Sequence, residues 1–552
     1  MASGANTSVY RALFQTRGYN PATGLRARGG QSPMTEQYRR ELGLSPNDNG
    51  DRGVVPEDER RAVARLIERG LSRPLQATDY DTSWALRLSN ANGTPAYPRL
   101  LGPLLDRQRE DGSWGGQIHH GHDRLLTTLA VVIAISGLAD PRAEESRDAG
   151  VLYLRRHSED LDPETDRTIG FELIFPALLE EAAEIGLDLP LAAPRHLERE
   201  REAKLNLLPK DGILTSHTTA LFSLEAFRPN LDVEEAAGLL LDNGSMANSP
   251  SATACLLGQI PDWRDRLPRS AAYLDALLAP PASGLPAAHP CDVFVRAWTL
   301  YYMQHGGLFE ANRDLLEPYL EHLWGSVWPK GVGFASTSGF VDSDDTAMTM
   351  LVLHRAGYEV DGSLLLAFEE DRWFSVHKHE SNPSVSANLH ILEASPVIPE
   401  KDRGRVREKI LAHLFAIRRG GAYWRDKWHA SVYYPTTRAL AILSRYERSR
   451  LEPTVEWLLA NQRSDGSWGE HMPTTEETSL VLLSLLQYHR TARPVPKEPM
   501  RRAAAYLLAA DGPTDRGFPE LWIGKSLYAP IFVIEAVRLS ALTLYKDTFG
   551  EA

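Results

Sequence analysis

An eight-residue phrase occurs twice in this chain of 552 residues, and it restricts the folds that the chain can adopt. Residues 108–115 read Gln-Arg-Glu-Asp-Gly-Ser-Trp-Gly, and residues 462–469 repeat the same Gln and Asp-Gly-Ser-Trp-Gly frame. Asp-Gly predicts a sharp turn between two helices, and the Gln and Trp side chains can tie one helix end to the next. Two copies far apart in the chain predict two related helical units rather than a solenoid of short, regular repeats.

The spacing of apolar residues indicates helices through most of the chain. Segments such as 59–67 and 481–486 carry apolar residues at helical intervals, whereas alternating strand patterns are scarce. Gly and Pro clusters interrupt these segments as they do in helical hairpins, and the length exceeds what one hydrophobic core usually serves. We therefore predict an all-α protein with more than one folding unit. The Gly-, Ser-, Asn-, Pro- and Arg-rich stretch at 1–51 predicts a disordered tail.

Composition excludes several classes of function. The chain has 60 Lys and Arg against 73 Asp and Glu, a net charge of −13, which is the wrong sign for a nucleic-acid partner. Cys255 and Cys291 are too few for a disulfide scaffold, and no His-Glu-x-x-His pattern indicates zinc. The weakly polar run at 125–139 is too short to span a membrane, and no signal peptide is found. We expect a cytoplasmic protein without a membrane span.

A cluster of carboxyl groups precedes the apolar helical run at 347–353. The cluster reads Asp342-Ser343-Asp344-Asp345, and by itself it is more typical of a helix start than of a catalytic site, because Asp and Ser favour N-caps. Crowding and burial of carboxyl groups favour their protonated form, while a helix N-terminus favours the ionised form. The sequence leaves open which of these two effects is larger.

Several phrases of the chain resemble one enzyme family. The repeats are similar to the QW motifs of terpene cyclases. The phrases at 80–84, 122–130, 170–176, 249–254, 424–428 and 522–528 resemble class II diterpene cyclases in order and spacing. Within this family the chain is similar to bacterial copalyl and halimadienyl (tuberculosinyl) diphosphate synthases. The resemblance covers roughly residues 79–530 and implies two (α/α) barrel domains, named β and γ, without the class I α domain. It places the first β helix at 52–71, the inserted γ domain at 72–290 and the rest of β at 291–552, with the active site between the barrels.

This resemblance implies a reaction. Geranylgeranyl diphosphate would be protonated at its terminal alkene and cyclised to a labdane/copalyl- or halimane/clerodane-type diphosphate, with its diphosphate retained. The resemblance implies that Asp344 is the general acid and that Asp342 and Asp345 orient it. An unactivated alkene has negligible basicity, so the donor must be a neutral acid in a dry pocket. Aromatic faces would stabilise the carbocations, and the candidates are Trp298, Trp328, Phe334, Trp373 and Tyr434.

The resemblance also implies residues for the charged end of the substrate. Lys204 and Lys427 stand where related cyclases place diphosphate-binding lysines, and Arg124 and Lys525 are further candidates. An acidic run occupies the place of the relatives' magnesium motif, and its candidate Mg²⁺ ligands are Glu159, Asp160, Glu164 and Asp166. Surface lysines and acidic loops are also commonly just solvated, so residue type alone leaves both interpretations open.

The chain departs from the family pattern at one place. In plant cyclases that make the ent-copalyl product, a His and an Asn hold the water that removes the final proton. The matching positions here are Phe222 and Ala287, and neither side chain can hold water. This predicts another terminating base or a rearranged skeleton. Four other polar residues carry too little support to be assigned to catalysis: Tyr301, His289, His390 and Asn388.

Alternatives remain open at this stage. The substrate could be farnesyl diphosphate, giving a drimane skeleton, or the chain could be a squalene-type triterpene cyclase. A helical-barrel glycoside hydrolase would also use two carboxyl groups, and a non-catalytic scaffold would need none. No Asp-Asp-x-x-Asp motif is found on an apolar helix, so ionisation of the diphosphate is not expected. A downstream class I synthase or phosphatase is the implied partner, and a homodimer is left open.

Overall fold

The computed structural model describes most of the chain from residue 57 onward. The described residues are 57–72, 74–157, 167–187, 189, 195–206, 218–337, 340–378, 380, 382–510 and 517–550, together with 19–20 and 25–26. Helices joined by short turns dominate these ranges, as the apolar spacing predicts. Within the stretch at 1–51, the structure describes an antiparallel pair of strands, β1 (Tyr19–Asn20) and β2 (Leu25–Arg26). The remainder of the predicted tail lies outside the described residues.

The helices before residue 290 form a ring. The α-helices are α1 (Glu57–Ser72), α2 (Asp79–Leu86), α3 (Leu101–Asp106), α4 (Gly121–Ile135), α5 (Pro141–Arg156), α6 (Phe171–Glu184), α7 (Arg195–Leu205), α8 (Val233–Ala237), α9 (Pro250–Leu257), α10 (Trp263–Arg266) and α11 (Pro268–Leu277). Short 3₁₀ helices occupy Pro98–Leu100 and Thr219–Asn230. The ring runs α2, α4, α6, the 3₁₀ segment at 219–230 and α9, and it closes because α9 packs against α2.

A second ring follows. Its α-helices and their outer neighbours are α12 (Asp292–His305), α13 (Arg313–Gly325), α14 (Ser343–Arg355), α15 (Val385–Glu393), α16 (Glu400–Ala416), α17 (Tyr433–Leu443), α18 (Glu452–Ala460), α19 (Thr475–Thr491), α20 (Lys497–Ala509) and α21 (Ile531–Phe549). Short 3₁₀ helices lie at Glu310–Asn312, Gly362–Phe368, Ser395–Val397 and Arg448–Leu451, and strands β3 (Trp522–Ile523) and β4 (Leu527–Tyr528) pair antiparallel. The inner ring runs α12, α14, α15, α17, α19 and α21, and α21 returns to α12. Helix α1 packs outside it, against α21.

The repeated phrase makes the same hydrogen bonds between helix ends in both rings, and we call this set of bonds a staple. Trp114 Nε1 donates to the Leu104 carbonyl at 2.9 Å, and Trp468 Nε1 donates to Leu458 at 2.7 Å. The Gln amides reach the next outer helix: Gln108 Nε2 donates to Ser146 O and Gln462 Nε2 to Pro499 O, each at 2.8 Å. The prediction that these residues tie helix ends together is therefore confirmed.

A third staple occurs without the repeated phrase. Trp424 Nε1 donates to the Leu414 carbonyl at 2.7 Å, and the Trp424 backbone N–H donates to Thr436 Oγ1 at 3.0 Å. Trp114 and Trp468 make the same backbone bond to Thr128 and Thr478. Sequence reading misses this copy because the turn before Trp424 carries Gly420 and Gly421 in place of the Asp-Gly-Ser frame.

Each ring has its own hydrophobic core. One core draws on residues between Tyr80 and Leu285, and the other on residues between Cys291 and Tyr545 together with Val63, Leu66 and Leu75. Helix α1, although it precedes the first ring in the chain, therefore contributes to the second core. Among the described residues no helix is both long enough and apolar enough to cross a membrane.

Candidate active site

A cavity of about 470 Å³ lies between the two rings and is lined by residues of both. Helix α6 and the 3₁₀ segment at 219–230 line one side, and α12, α14 and the β3–β4 hairpin line the other. Its walls are largely aromatic: the lining includes Phe222, Phe294, Trp298, Phe334, Phe340, Trp428, Tyr434, Trp522 and Tyr528. Five acidic residues also line the cavity: Asp342, Asp344 and Asp345 lie together in the chain, and Glu172 and Glu380 are the other two.

The three Asp residues surround the first turn of α14. Asp342 is the N-cap, and its Oδ1 accepts the backbone N–H of Asp345 at 2.7 Å. The helix-start interpretation of this motif is therefore correct for Asp342, and the same geometry carries all three side chains to the cavity. Capping and a site role coexist because the helix begins at the cavity wall.

Burial outweighs the helix N-terminus in setting the state of two of these acids. Asp342 is 5% exposed and Asp345 is 7% exposed. Loss of solvation is the largest effect on Asp342 and raises its pKa to about 7, although hydrogen bonds from the helix turn oppose the shift. Burial and the neighbouring Asp342 raise the pKa of Asp345 well above its ordinary value. Near neutral pH the pair therefore holds more protons than two ordinary carboxyl groups would.

Asp344 is held differently from its two neighbours. Its Oδ1 lies 2.5 Å from His390 Nδ1. On the other side of the ring, His390 Nε2 faces Arg438 Nε at 3.1 Å and Nη2 at 2.7 Å. Since a guanidinium can only donate, Nε2 is the acceptor and Nδ1 carries the hydrogen donated to Asp344. Burial lowers the pKa of His390, which agrees with a neutral ring. Any proton on Asp344 must therefore sit on Oδ2.

Arg438 fixes this arrangement from behind. Its guanidinium is 3.8 Å from the centroid of the Tyr301 ring, and Nη2 also contacts Met348 Sδ at 3.4 Å. The residue is 3% exposed, so its position is set by packing rather than by solvent. Sequence reasoning named His390 without assigning it a role and did not name Arg438, because their relation to Asp344 depends on the packing of α14, α15 and α17.

Two lysines lie near the cavity, and of these two only Lys204 is part of its lining. Lys204 lines it and donates to Glu172 Oε1 at 2.5 Å. Lys427 Nζ is bonded to the carboxylate of Glu380, which lines the cavity, and to the Asn382 carbonyl at 2.7 Å. Burial lowers the pKa of Lys427, and Glu380 opposes that shift. The two lysines predicted for the diphosphate thus each sit with a carboxylate at the cavity.

No protein-family model matches the chain. A type B diterpene cyclase of Mycobacterium tuberculosis is 32% identical over 504 residues, which cover 88% of this chain and 98% of that protein. The chain belongs to the class II diterpene cyclases. An ent-copalyl diphosphate synthase from Streptomyces platensis has the same fold, with a TM-score of 0.73 and 29% identity over 88% of this chain and 99% of its own.

Plant enzymes are also similar to this cyclase. A bifunctional levopimaradiene synthase of Pinus banksiana is 30% identical over 469 residues, covering 79% of this chain and 52% of the plant protein. The cyclase thus spans about half the length of that relative. These comparisons confirm the predicted enzyme family and its helical barrel fold, and they do not favour the triterpene, glycosidase or scaffold alternatives.

Arg124 and Lys525 are two further residues predicted for the diphosphate, and like Lys427 they are not part of the cavity lining. Arg124 Nη2 donates to the carbonyls of Gly116 at 2.7 Å and Ile118 at 3.0 Å. Lys525 Nζ is bonded to Glu225 Oε1 at 2.7 Å and to the hydroxyls of Ser249 and Ser251 at 2.6 Å each. Neither residue belongs to the cavity lining, and both are almost fully buried. The structure therefore places both in contacts that hold the protein together, and their binding role stays a prediction.

The predicted magnesium ligands cannot be located. Glu159, Asp160, Glu164 and Asp166 lie outside the described residues, although Ile169 and Gly170, which follow shortly after, line the cavity. Among the described residues no group of three or more His, Cys, Asp or Glu side chains could hold a metal ion.

The structure places three of the five aromatic candidates at the cavity, and their role toward carbocations stays a prediction. Trp298, Phe334 and Tyr434 line the cavity, whereas Trp328 and Trp373 do not. Trp373 packs instead against His413, with ring centroids 5.6 Å apart. Phe222 and Ala287, the positions that depart from the plant pattern, both line the cavity.

The remaining unassigned polar residues make internal contacts. Tyr301 donates its hydroxyl to Glu393 Oε2 at 2.7 Å, and Asn388 Nδ2 donates to the Phe374 carbonyl at 2.9 Å. The backbone carbonyl of His289 accepts from the Tyr273 hydroxyl at 2.7 Å. These three residues hold helices and loops behind the cavity rather than forming its lining.

Proposed function

We propose that this cyclase converts geranylgeranyl diphosphate into a bicyclic C20 diphosphate. The observation that carries the proposal is the chain Asp344–His390–Arg438, which ends at the wall of an aromatic cavity whose edge holds Lys204 and Glu380–Lys427. A prenyl diphosphate needs positive charge at one end and apolar surface along its length. The relatives' names support a diterpene substrate.

Asp344 supplies the proton in this proposal. Its Oδ2–H adds to the terminal alkene, the alkene electrons form the new C–H bond, and a tertiary carbocation remains. The Asp344 carboxylate that results keeps the Nδ1–H bond from His390, and the Arg438 cation lies behind that ring. The neutral tautomer of His390 thus prepares the site for the charge that appears on Asp344.

The charged end binds the diphosphate and leaves it intact. Lys204 and Lys427 would exchange part of their contact with Glu172 and Glu380 for diphosphate oxygens. Mg²⁺ would neutralise the diphosphate further, held by members of the acidic run among Glu159, Asp160, Glu164 and Asp166, which ends shortly before Ile169 at the cavity. Carboxylates and phosphate oxygens are the donors that Mg²⁺ prefers, so the residue types fit.

The apolar side chains at Phe222 and Ala287 support a product other than the ent-copalyl type. A base or water at this part of the wall would remove the proton from the first bicyclic cation. With a phenyl ring and a methyl group lining the cavity there, the cation has time to rearrange. We therefore propose a halimane- or clerodane-type skeleton.

The proposal extends to the setting of the reaction. The cyclase would act in the cytoplasm, and its product would pass to a class I synthase or a phosphatase, because the retained diphosphate is a leaving group still to be used. A homodimer is compatible with this scheme and is tested by the mass of the protein in solution.

Product analysis tests the proposed function. Purified protein is incubated with Mg²⁺ and, separately, geranylgeranyl and farnesyl diphosphate, and the dephosphorylated products are identified by mass spectrometry and NMR. A bicyclic C20 alcohol supports the proposal and names the skeleton. A bicyclic C15 alcohol alone moves the assignment to drimane chemistry, and recovery of only linear alcohols from folded protein contradicts it.

A second experiment tests the skeleton. The double variant Phe222→His, Ala287→Asn introduces polar groups where the wall is apolar. We expect a larger share of product that lost its proton before rearrangement. An unchanged product mixture from an active double variant would contradict the role given to these two positions.

A further inference from the structure

Trp522 forms part of the cavity wall and is fixed on several sides. Its side chain lines the cavity, and the residue is 4% exposed. Its ring centroid lies 5.2 Å from that of Phe294 and 4.9 Å from that of Tyr434. The backbone of its strand is paired on both edges, with Tyr528 across the hairpin and with His429 on the other side. The indole therefore presents a fixed surface to the substrate.

The indole N–H is donated to a buried carboxylate. Trp522 Nε1 lies 2.7 Å from Glu476 Oε1, and Glu476 is 4% exposed. The other neighbour of this oxygen is His429 Nε2, at 3.4 Å. His429 Nδ1 accepts the Ser431 backbone N–H at 3.1 Å, so Nε2 carries the hydrogen and the ring is neutral. Within the part of the chain that the structure describes, Glu476 Oε2 has no hydrogen-bond partner.

No Lys or Arg among the described residues forms an ion pair with Glu476. In this respect Glu476 differs from three other glutamates near the cavity, because Glu172, Glu225 and Glu380 each pair with a lysine. Glu476 lies in the first turn of α19, so the positive end of the helix dipole is next to its carboxyl group. A buried carboxylate without a cation is costly to maintain. A positive charge that arises at the neighbouring ring during the reaction would offset that cost.

We propose that Glu476 acts through the Trp522 indole to stabilise the carbocation formed during cyclisation. The inference rests on the proposed function and adds to it a catalytic ring, Trp522, and a positioning residue, Glu476. A carboxylate that accepts the indole N–H increases the negative potential over the ring face, which strengthens its attraction for a cation. The uncharged hydrocarbon part of the substrate gains little from this field, so the carbocation and the transition states next to it are stabilised selectively.

Binding of a charged and a neutral analogue tests the proposal without depending on turnover. The probes are 15-aza-14,15-dihydrogeranylgeranyl thiolodiphosphate, protonated at its amine, and 14,15-dihydrogeranylgeranyl thiolodiphosphate, which is neutral there and lacks the reactive alkene. Affinities are measured by calorimetry for the wild type and for Glu476→Gln, which keeps an acceptor for the indole N–H and removes the charge.

The matched control is Glu477→Gln. Glu477 is the next residue of the same helical turn and is also buried, but it is bonded to Ser431 and Thr474 rather than to Trp522. We expect Glu476→Gln to lose at least fivefold of the preference for the charged analogue, and Glu477→Gln to keep the wild-type preference within twofold. With an active enzyme, kcat should fall in Glu476→Gln while KM changes little.

Two outcomes overturn the proposal. The first is a Glu476→Gln protein that keeps the wild-type preference for the charged analogue. The second outcome concerns Trp522→Phe, which keeps an aromatic ring and removes the N–H, and it is used if Glu476→Gln does not fold. We expect Trp522→Phe to lose the preference for the charged analogue. A Trp522→Phe protein that keeps this preference contradicts the proposal. A wild type that prefers the charged analogue but cyclises neither prenyl diphosphate would refute the proposed function alone.

Discussion

At the scale of single residues, one hydrogen position decides the chemistry of the acid. Arg438 donates a hydrogen bond to His390 Nε2, so the ring hydrogen of His390 is on Nδ1 and is donated to Asp344 Oδ1. Asp344 is then an acceptor at one oxygen and can be a donor only at the other. Asp342 and Asp345 differ from Asp344 because both are buried and are linked by a hydrogen bond within the first turn of α14, from the Asp345 backbone N–H to Asp342 Oδ1.

Replacing Asp344 by Asn should abolish proton donation while leaving the fold intact. The loss of a general acid typically lowers the rate by about 10²–10⁴-fold, and we expect kcat to fall within or beyond this range. The measurement is the rate of product formation from geranylgeranyl diphosphate, with thermal unfolding followed by circular dichroism. The exposed Asp371→Asn is the matched control. A well-folded, fully active Asp344→Asn protein would refute the assigned acid.

Stability should depend on pH through Asp342. Burial raises its folded-state pKa from 3.8 to about 7, so the folded protein is more stable with Asp342 neutral than with Asp342 ionised. The contribution of neutral Asp342 to the free energy of unfolding is fully present below about pH 4 and is lost as the pH rises through 7. Over this range the free energy of unfolding falls by at most about 1.4 kcal/mol per pH unit. Asp342→Asn, which retains an N-cap side chain, should flatten this part of the stability curve. Unfolding in urea at several pH values measures it, and an unchanged slope in the variant would contradict the assignment.

At the scale of elements, short turns fix where helices begin and end. The Asp-Gly turn of each repeat places a glycine at φ +90°, and a side chain there would meet the carbonyl of Ala149 or Arg502 at 2.5 Å. The Gln and Trp side chains then hold the turn against its two helices. The catalytic motif depends on a similar local rule, since Asp342 both caps α14 and reaches the cavity.

Removing the staple should destabilise the protein at either copy. Gln462→Ala leaves the carbonyls of Gly466 and Pro499 without their side-chain donor, and the expected loss is about 1–3 kcal/mol of unfolding free energy. Gln108→Ala should behave alike in the first ring. The exposed neighbour Asn461→Ala serves as the control and should change stability by no more than about 0.5 kcal/mol. Equal effects of Gln462→Ala and Asn461→Ala would contradict the staple.

At the scale of the whole molecule, buried polar contacts join the two rings. Lys525, next to the β3–β4 hairpin, is bonded to Glu225, Ser249 and Ser251 of the first ring and to the Phe222 carbonyl at 2.8 Å. Because Phe222 lines the cavity, this lysine also helps to hold one wall of the site. The cavity exists only while both rings keep this arrangement.

Lys525→Met should strongly destabilise the protein because it leaves Glu225 buried and unpaired. Breaking one partner of a buried ion pair typically costs about 3–5 kcal/mol. Adding Glu225→Gln removes the stranded charge, and we expect the double variant to recover a large part of the loss. Chemical unfolding of both variants measures this. A double variant no more stable than Lys525→Met would show that the charge pair is not the cause.

The sequence by itself determined the helical class, the two units, the stapled turns and the family, since each follows from local spacing and from phrases of neighbouring residues. It also located the Asp motif, because capping and catalytic chemistry both place carboxyl groups at a helix start. Only the tertiary structure decided that burial prevails over the helix dipole at Asp342, and that His390 and Arg438 set the hydrogen at Asp344. The same holds for Lys525, which proved to join the rings without being part of the cavity lining, and for the contact of Glu476 with Trp522. These contacts connect residues far apart in the chain, and the solvation and partners of a buried charge are set by packing that one-dimensional spacing does not encode.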